Sequence, residues 1–340
     1  MKNFQFDVDY VRAQFPALSR SVNGNPAAFF DGPGGSQVPR RVVDAVVDYL
    51  YYHNANAGGE FITSKDNDRL FRRGREVLGD FLNCAPEEVV FGPNTTSNNF
   101  RLSYGLLRSL KPGDEVIITD IDHEGNRSPW RTLADFGIVV KSVAVDPETC
   151  TLVFDDFKAK LSDKTKIVCV NWAANACGTI TDVKAYVDLA HEYGAITVVD
   201  AVHYAAHKPI DVKAIGTDIL VCSAYKFFGP HVGVMYVRKD LGESIKSVRV
   251  YAEDNADRTN WSTGICGRRL DHNCILAVDY ASVGNRNWCN GLYFKSDWST
   301  KSKTRWDSLY PVSFAVSDHW FCNRCDCGGS KSIFAGVVGS

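Results

Sequence analysis

Between residues 40 and 265 the sequence switches its hydrophobic period repeatedly, and this alternation restricts the fold more than any other feature. "PRRVVDAVVDYLYY" (39–52) sets apolar residues at helical spacing behind Pro39, and "NDRLFRRGREVLGDFLN" (67–83) does the same with charge pairs at i,i+4. Further helical patterns run through 97–110, 128–137, 155–162 and 183–194. Between them lie seven short runs: "EEVVFG", "EVIITD", "VVKSVAV", "KIVCVNW", "AITVVDA", "DILVCSA" and "GVMYVR". These are continuous Val/Ile stretches rather than in/out alternations, as expected of strands covered by helices on both faces. The pattern predicts an α/β doubly wound sheet with its ligand site at the carboxyl ends of the strands.

A chain of 340 residues has room for one large core and a smaller second domain. Its net charge of −2, with no basic arm or Arg stripe, speaks against a nucleic-acid partner. The first twenty residues lack a signal-peptide apolar core, and no segment approaches the ~20 apolar residues of a membrane span, so a soluble, cytoplasmic protein is expected, with no membrane partner. Eleven cysteines, an odd number in a chain this long, read as reduced thiols. Their distribution is uneven. Five lie within the first 265 residues and six in the last 75, and four of the seven Trp follow residue 285, so the tail needs a separate reading.

Several polar residues fall where the apolar runs stop. Asp200 closes "AITVVD" and reads either as a helix cap or as a functional anion, with His203 and Tyr204 just behind it. Lys226 follows "DILVCSAY": either its stem snorkels to water, or it is a desolvated amine with a lowered pKa, suited to attack a carbonyl. "FGPNTTSNNF" (91–100) puts Asn94, Thr95 and Thr96 before a helical pattern, which suits plain N-capping or an anion site for phosphate. "DIDHEGNRSPW" (120–130) carries His123 and Asn126; the histidine could serve as a base, a ligand or a flat ring, and no metal-binding spacing such as HExxH accompanies it. A phosphate cradle, a ring-shaped side chain, a carboxylate and a lysine at the ends of different strands are together what pyridoxal phosphate requires.

At this point the sequence resembles a known family, the fold-type I pyridoxal phosphate enzymes of aminotransferase class V, and particularly its cysteine desulfurase-like branch. The likeness runs from "FDVDYVRAQFPAL" and "FFDGPGGSQVPR" through "HEGNRSPW", "NACGTITDV", "VVDAVHYAAH" and "SAYKFFGP" to about "NWSTG", roughly three quarters of the chain. The resemblance implies a mostly parallel seven-stranded sheet sandwiched by helices, an N-terminal segment (1–30) joining a small domain, and a large cofactor domain (31–265). It also implies roles. Lys226 looks like the Schiff-base lysine, Asp200 like the partner of the pyridine nitrogen, and His123 like the ring that stacks on the cofactor. Thr95 and Thr96 match the phosphate-binding turn, with Ser223 completing it; His203 sits near the position of the cofactor's phenolic oxygen, and Asn175 where a side chain orients cofactor or substrate. A small amino acid would be the substrate and a homodimer the working form.

The chain departs from the family in places. Tyr225 precedes the lysine where many desulfurases carry histidine, and Ile265 follows Gly264 where a Thr reaching the neighbouring subunit is usual. "LAVDYASVGN" (276–285) still looks like the next family helix, but the substrate-carboxylate arginine and the sulfur-accepting loop cysteine have no recognisable counterparts beyond it. Residues 266–340 are therefore read as a divergent, truncated or altered form of the small domain. Cys322, Cys325 and Cys327 in "CNRCDCGG" lack the flanks of a persulfide loop, and one CxxC with an extra Cys is weak grounds for zinc. Cysteine desulfuration is the favoured activity. The alternatives are class V transamination and a cofactor-binding homologue with little catalysis. A nucleotide-binding reading lacks support, since neither GxGxxG nor GxxxxGK[ST] occurs.

Overall fold

A computed structural model describes residues 7–245. The chain divides into two units, Met1–Asn285 and Arg286–Ser340, and every described residue lies in the first. The expectations for Gly264, Ile265, the 276–285 helix, the 266–340 region and Cys322, Cys325 and Cys327 fall outside the described residues.

The seven apolar runs form one seven-stranded sheet: β1 (Val89–Gly92), β2 (Glu115–Thr119), β3 (Val139–Val143), β4 (Thr165–Asn171), β5 (Ile196–Asp200), β6 (Ile219–Ser223) and β7 (Gly233–Val237). Their spatial order is β1-β7-β6-β5-β4-β2-β3. The pairs β6/β5, β5/β4, β4/β2 and β2/β3 are parallel, and β7 runs antiparallel to both its neighbours. The helix-covered sheet expected from the Val/Ile runs, and the mostly parallel seven-stranded form that the resemblance implied, are thus present. The helices are α1 (Val8–Ala13), α2 (Arg40–Tyr52), α3 (Ile62–Leu82), α4 (Thr95–Leu107), α5 (Glu124–Arg131), α6 (Phe154–Lys160), α7 (Val183–Glu192), α8 (Val212–Ile215) and α9 (Lys239–Ser244). No helix among the described residues is long and apolar enough to cross a membrane.

Successive side chains in a strand point to opposite faces, so a run that is apolar at every position feeds two cores. Val168, Val170, Val199, Leu220 and Cys222 pack on one face with Leu82, Phe157 and Tyr186. Ile167, Cys169, Val198, Ile219 and Val221 pack on the other with Leu102, Trp130 and Leu133. A carboxylate or lysine would be costly in the middle of such a strand. In the inner strands the polar groups of the site therefore stand at the ends, as Asn171, Asp200 and Ser223 do, which fixes where the chemistry sits; only the edge strand β3 carries a lysine, Lys141, at its middle.

Three helices begin well before the apolar period indicates: α3 starts at Ile62 rather than at 67, with no side-chain cap, and α4 and α5 start early behind capping residues. α4 starts at Thr95 rather than at 97, because Asn94 caps it by accepting from Ser97 N at 2.8 Å. α5 starts at Glu124 rather than at 128, capped by His123, whose Nδ1 accepts from Gly125 N at 2.9 Å; Pro129 lies inside it. Capping chemistry, not hydrophobic spacing, sets both starts, and both bring residues of interest to a helix N-terminus.

At the head of β7, Gly233 presses on the α4 cap. A Cβ there would stand 2.6 Å from the carbonyl carbon of Asn94 and 2.8 Å from its Cα, and the contact is with backbone that cannot swing aside. Gly233→Ala is expected to destabilise the protein by about 2 kcal/mol or more through overpacking, read as a lower urea midpoint.

Candidate active site

A cavity of about 360 Å³ opens at the carboxyl ends of the strands. All eight residues singled out from the sequence line it: Thr95, Thr96, His123, Asn175, Asp200, His203, Ser223 and Lys226. They come from five chain segments spread between Thr95 and Lys226, brought together by the common direction of β4, β5 and β6 and by the starts of α4 and α5.

The anion end is built on α4. Thr95 N donates to Ser223 Oγ at 3.0 Å, and the two hydroxyls lie 2.7 Å apart, joining the start of α4 to the end of β6. With Ser97 N taken by Asn94, the helix start presents Thr96 to the cavity. Gly125 at the start of α5 leaves room for it, since an added Cβ would lie 2.6 Å from Thr96 Oγ1. Hydroxyls at the positive end of a 13-residue helix form a site for a phosphate-sized anion.

Asp200 ends β5 and is 4% exposed. One carboxylate oxygen accepts from Val202 N at 2.8 Å. Burial pushes its pKa up to about 6, against the opposing pull of the Val202 amide and the charge of Lys226. Beside it is a second buried carboxylate that the sequence did not single out. Asp122 accepts from Thr119 Oγ1 at 2.6 Å and from Asn126 Nδ2 at 3.1 Å, while Asn126 in turn accepts from Asn99 Nδ2 at 3.0 Å. Burial, with the charge of Asp200, pushes Asp122 up to about 7. Two carboxylates in one apolar surrounding resist simultaneous ionisation, so the pair favours a state carrying one proton. Asn171 closes β4 on the cavity wall, and its buried Oδ1 has no partner among the described residues, an acceptor that a bound donor could satisfy.

Lys226 follows β6 in a short 3-10 turn, and its Nζ donates to Pro33 O and lies 5.0 Å from the Tyr225 ring centroid. Desolvation lowers its pKa, partly countered by Asp200. The lysine turn is fastened to the Gly-Pro-Gly-Gly loop: Ser36 N and Oγ both donate to Tyr225 O (2.8 and 3.1 Å), and Phe228 N donates to Ser36 Oγ at 2.6 Å. Phe228 holds φ +71°, an unusual conformation for a bulky residue, and these bonds help to hold it. Tyr225 stacks on His231 at 4.2 Å and 5°, so a histidine does reach this corner, from five residues beyond the lysine. His203 has a pKa lowered by burial, by His207 and by Lys226, which favours its neutral ring.

The donor set suits a phosphorylated pyridine aldehyde: a helix-start cradle, a buried carboxylate for a ring cation, an amine for the aldehyde and a flat imidazole. The sequence profile of the aminotransferase class-V family matches residues 28–260. The chain belongs to that family. Its members are pyridoxal phosphate enzymes, and the fold is the family's fold-type I. A cysteine desulfurase of Synechococcus elongatus is 37% identical over 243 residues, covering 69% of this chain and 38% of its own length. The aminotransferase-like protein FGM3 of Gibberella zeae is 32% identical, covering 73% of this chain and 62% of its own. The apo structure of a cysteine desulfurase from Thermococcus onnurineus superposes with a TM-score of 0.66 at 26% identity, over 82% of this chain and 72% of that one. The chain spans less than two thirds of the length of the first two relatives.

Asp122 escaped the sequence reading because a carboxylate three residues past a strand looks like a cap; only tertiary burial reveals it. Both acids have folded-state pKa values above the ordinary Asp value of 3.8, so these two groups bind more protons in the native protein than in the unfolded chain between about pH 4 and pH 7. Their contribution to the stability of the ligand-free protein should then be fully present below this window and be lost as pH rises through it. Asp122→Asn should reduce that loss, measured by urea unfolding at a series of pH values.

Proposed function

We propose that the chain binds pyridoxal phosphate at this cavity and acts on a small amino acid, with removal of sulfur from cysteine the favoured reaction. The observation that carries the reading is the facing of a desolvated amine, Lys226, and a buried carboxylate, Asp200, across a cavity with an anion-binding helix start. When bound, the cofactor supplies an aldehyde for amines and a protonated ring that withdraws electrons from the substrate's Cα.

The protein's own groups divide the remaining work. Thr95, Thr96 and Ser223 hold the phosphate by hydroxyls and helix-start amide groups. Asp200, fixed by Val202 N, keeps the proton on the ring nitrogen, and that cation in return relieves the buried carboxylate. His123, its Nδ1 engaged by Gly125 N, offers the face of its ring for stacking and carries its proton on Nε2 when neutral. His203 and Asn175 orient polar atoms at the cavity rim. The lowered pKa of Lys226 raises the share of free amine, first for attachment and then for moving the proton at substrate Cα.

No arginine is among the described residues lining the cavity. We also assign a small-domain role to 1–30 and 266–340. A cytoplasmic homodimer is the proposed working form. Its support is α2, which exposes Val43, Val47 and Leu50 at i, i+4 and i+7 and has no buried residue. A monomer mass in sedimentation of the full chain would contradict the dimer.

Titration of the purified chain with pyridoxal phosphate should produce a yellow protein, and addition of L-cysteine should release alanine and sulfur. Lys226→Ala should abolish the colour and slow turnover by on the order of 10²–10⁴-fold. Colour without turnover of cysteine or any other amino acid would favour a binding homologue, keto-acid formation would favour transamination, and a colourless protein would overturn the reading.

A further inference from the structure

Asn99 is not among the described residues lining the cavity, and it is fully buried behind it. It lies on α4 three residues beyond Thr96, one turn along the same face of the helix. Its Nδ2 donates to Gly125 O at 3.1 Å and to Asn126 Oδ1 at 3.0 Å, both at the start of α5. A backbone carbonyl can only accept, so the atom facing Gly125 O is the amide nitrogen, and the orientation of the side chain is fixed. Asn126 is fixed in turn. Its Nδ2 donates to Asp122 Oδ1 at 3.1 Å, and the other Asp122 oxygen accepts from Thr119 Oγ1 at 2.6 Å, at the end of β2. A buried line of hydrogen bonds therefore runs from α4 through the first turn of α5 to the sheet.

That line holds the backbone beside His123. Gly125 N donates to His123 Nδ1 at 2.9 Å, and Asn126 N donates to His123 O at 2.8 Å. The histidine is exposed on the cavity wall, so the direction of its ring depends on the Nδ1 bond more than on packing. Gly125 also lies against the anion end: a Cβ on it would stand 2.6 Å from Thr96 Oγ1 and 3.1 Å from His123 Nδ1. Gly125 is thus a shared neighbour of the Thr96 hydroxyl and the imidazole, and Asn99 grips its carbonyl.

We propose that Asn99 is a positioning residue for His123: by holding Gly125 O and Asn126 Oδ1 from α4, it keeps Gly125 N on His123 Nδ1 and so fixes the neutral ring, with its proton on Nε2, beside the start of α4. A carboxamide is what this place requires. Both atoms that its nitrogen meets are acceptors, and a carboxylate of the same shape supplies no donor. A flat ring that stacks on another loses contact when it can rotate, so the placement of His123 sets how firmly a planar ligand is held. That last consequence rests on the pyridoxal phosphate reading; the positioning does not.

The test is 15N NMR of the ligand-free full chain labelled at histidine, at about pH 8, where ordinary imidazoles are neutral. The His123 signals are assigned by their loss in His123→Ala. Wild-type His123 should show one tautomer, unprotonated at Nδ1 and protonated at Nε2, and the Asn99 side-chain amide protons should exchange slowly with solvent. Asn99→Asp, which keeps the shape and removes the donors, and Asn99→Ala should give His123 a mixture of tautomers while the other histidines keep their shifts. Both should bind pyridoxal phosphate several-fold to about tenfold more weakly, the loss of one net hydrogen bond. A wild-type His123 protonated at Nδ1, or fast exchange of the Asn99 amide protons, would overturn the proposal even if neither variant folds. Folded variants with a lower urea midpoint and an unchanged His123 tautomer would overturn it too, by reducing Asn99 to a structural role. A wild-type protein that shows the expected tautomer, loses it in the variants and takes up no pyridoxal phosphate would support the positioning and overturn the cofactor reading.

Discussion

The structure turns on one buried carboxylate. Among the described residues, Asp200 ends the central strand with a single amide donor and no cation in direct contact, in a place where ionisation costs several kcal/mol unless a partner arrives. Desolvation outweighs the Val202 amide and the more distant Lys226 charge, so the folded protein meets the cost by raising the pKa. Asp122 adds a second such group. A cavity lined by one reluctant carboxylate and a desolvated amine, with a second buried carboxylate close enough to feel the first, is poorly optimised for stability and well suited to a ring cation bearing an aldehyde.

The sheet explains how this is achieved. Each inner strand is apolar at consecutive positions because both faces are covered, so polar groups are tolerated only where strands stop. Parallel neighbours stop on the same side, and Asn171, Asp200 and Ser223 consequently end adjacent strands. The helix starts complete the ring. Close backbone approach at Gly233 and Gly125 lets the caps of α4 and α5 crowd the strand ends without side-chain interference.

Much of this was legible in the residues. The Val/Ile runs indicated the seven strands, and the polar residues directly behind them indicated the cavity, because strand direction alone carries such residues to one edge. Helix starts were misjudged by five residues at α3, two at α4 and four at α5; at the last two, apolar spacing is silent about Asn94 and His123 as caps. Asp122, Asn171 and the Ser36 clasp were not legible either. Their importance comes from burial and from contacts as much as 192 residues apart, which local patterning does not encode. Tyr225 shows the same limit: its departure from the desulfurase pattern stood out in sequence, but its stacking on His231 emerges only from the folded turn.

The most direct test of the central claim is borohydride reduction of the protein after incubation with pyridoxal phosphate, followed by peptide mapping. The account predicts one pyridoxyl group on peptide 214–238, uncut by trypsin at Lys226, with labelling weakened in Asp200→Ala. Label distributed over surface lysines, with Lys226 unmodified, would contradict it.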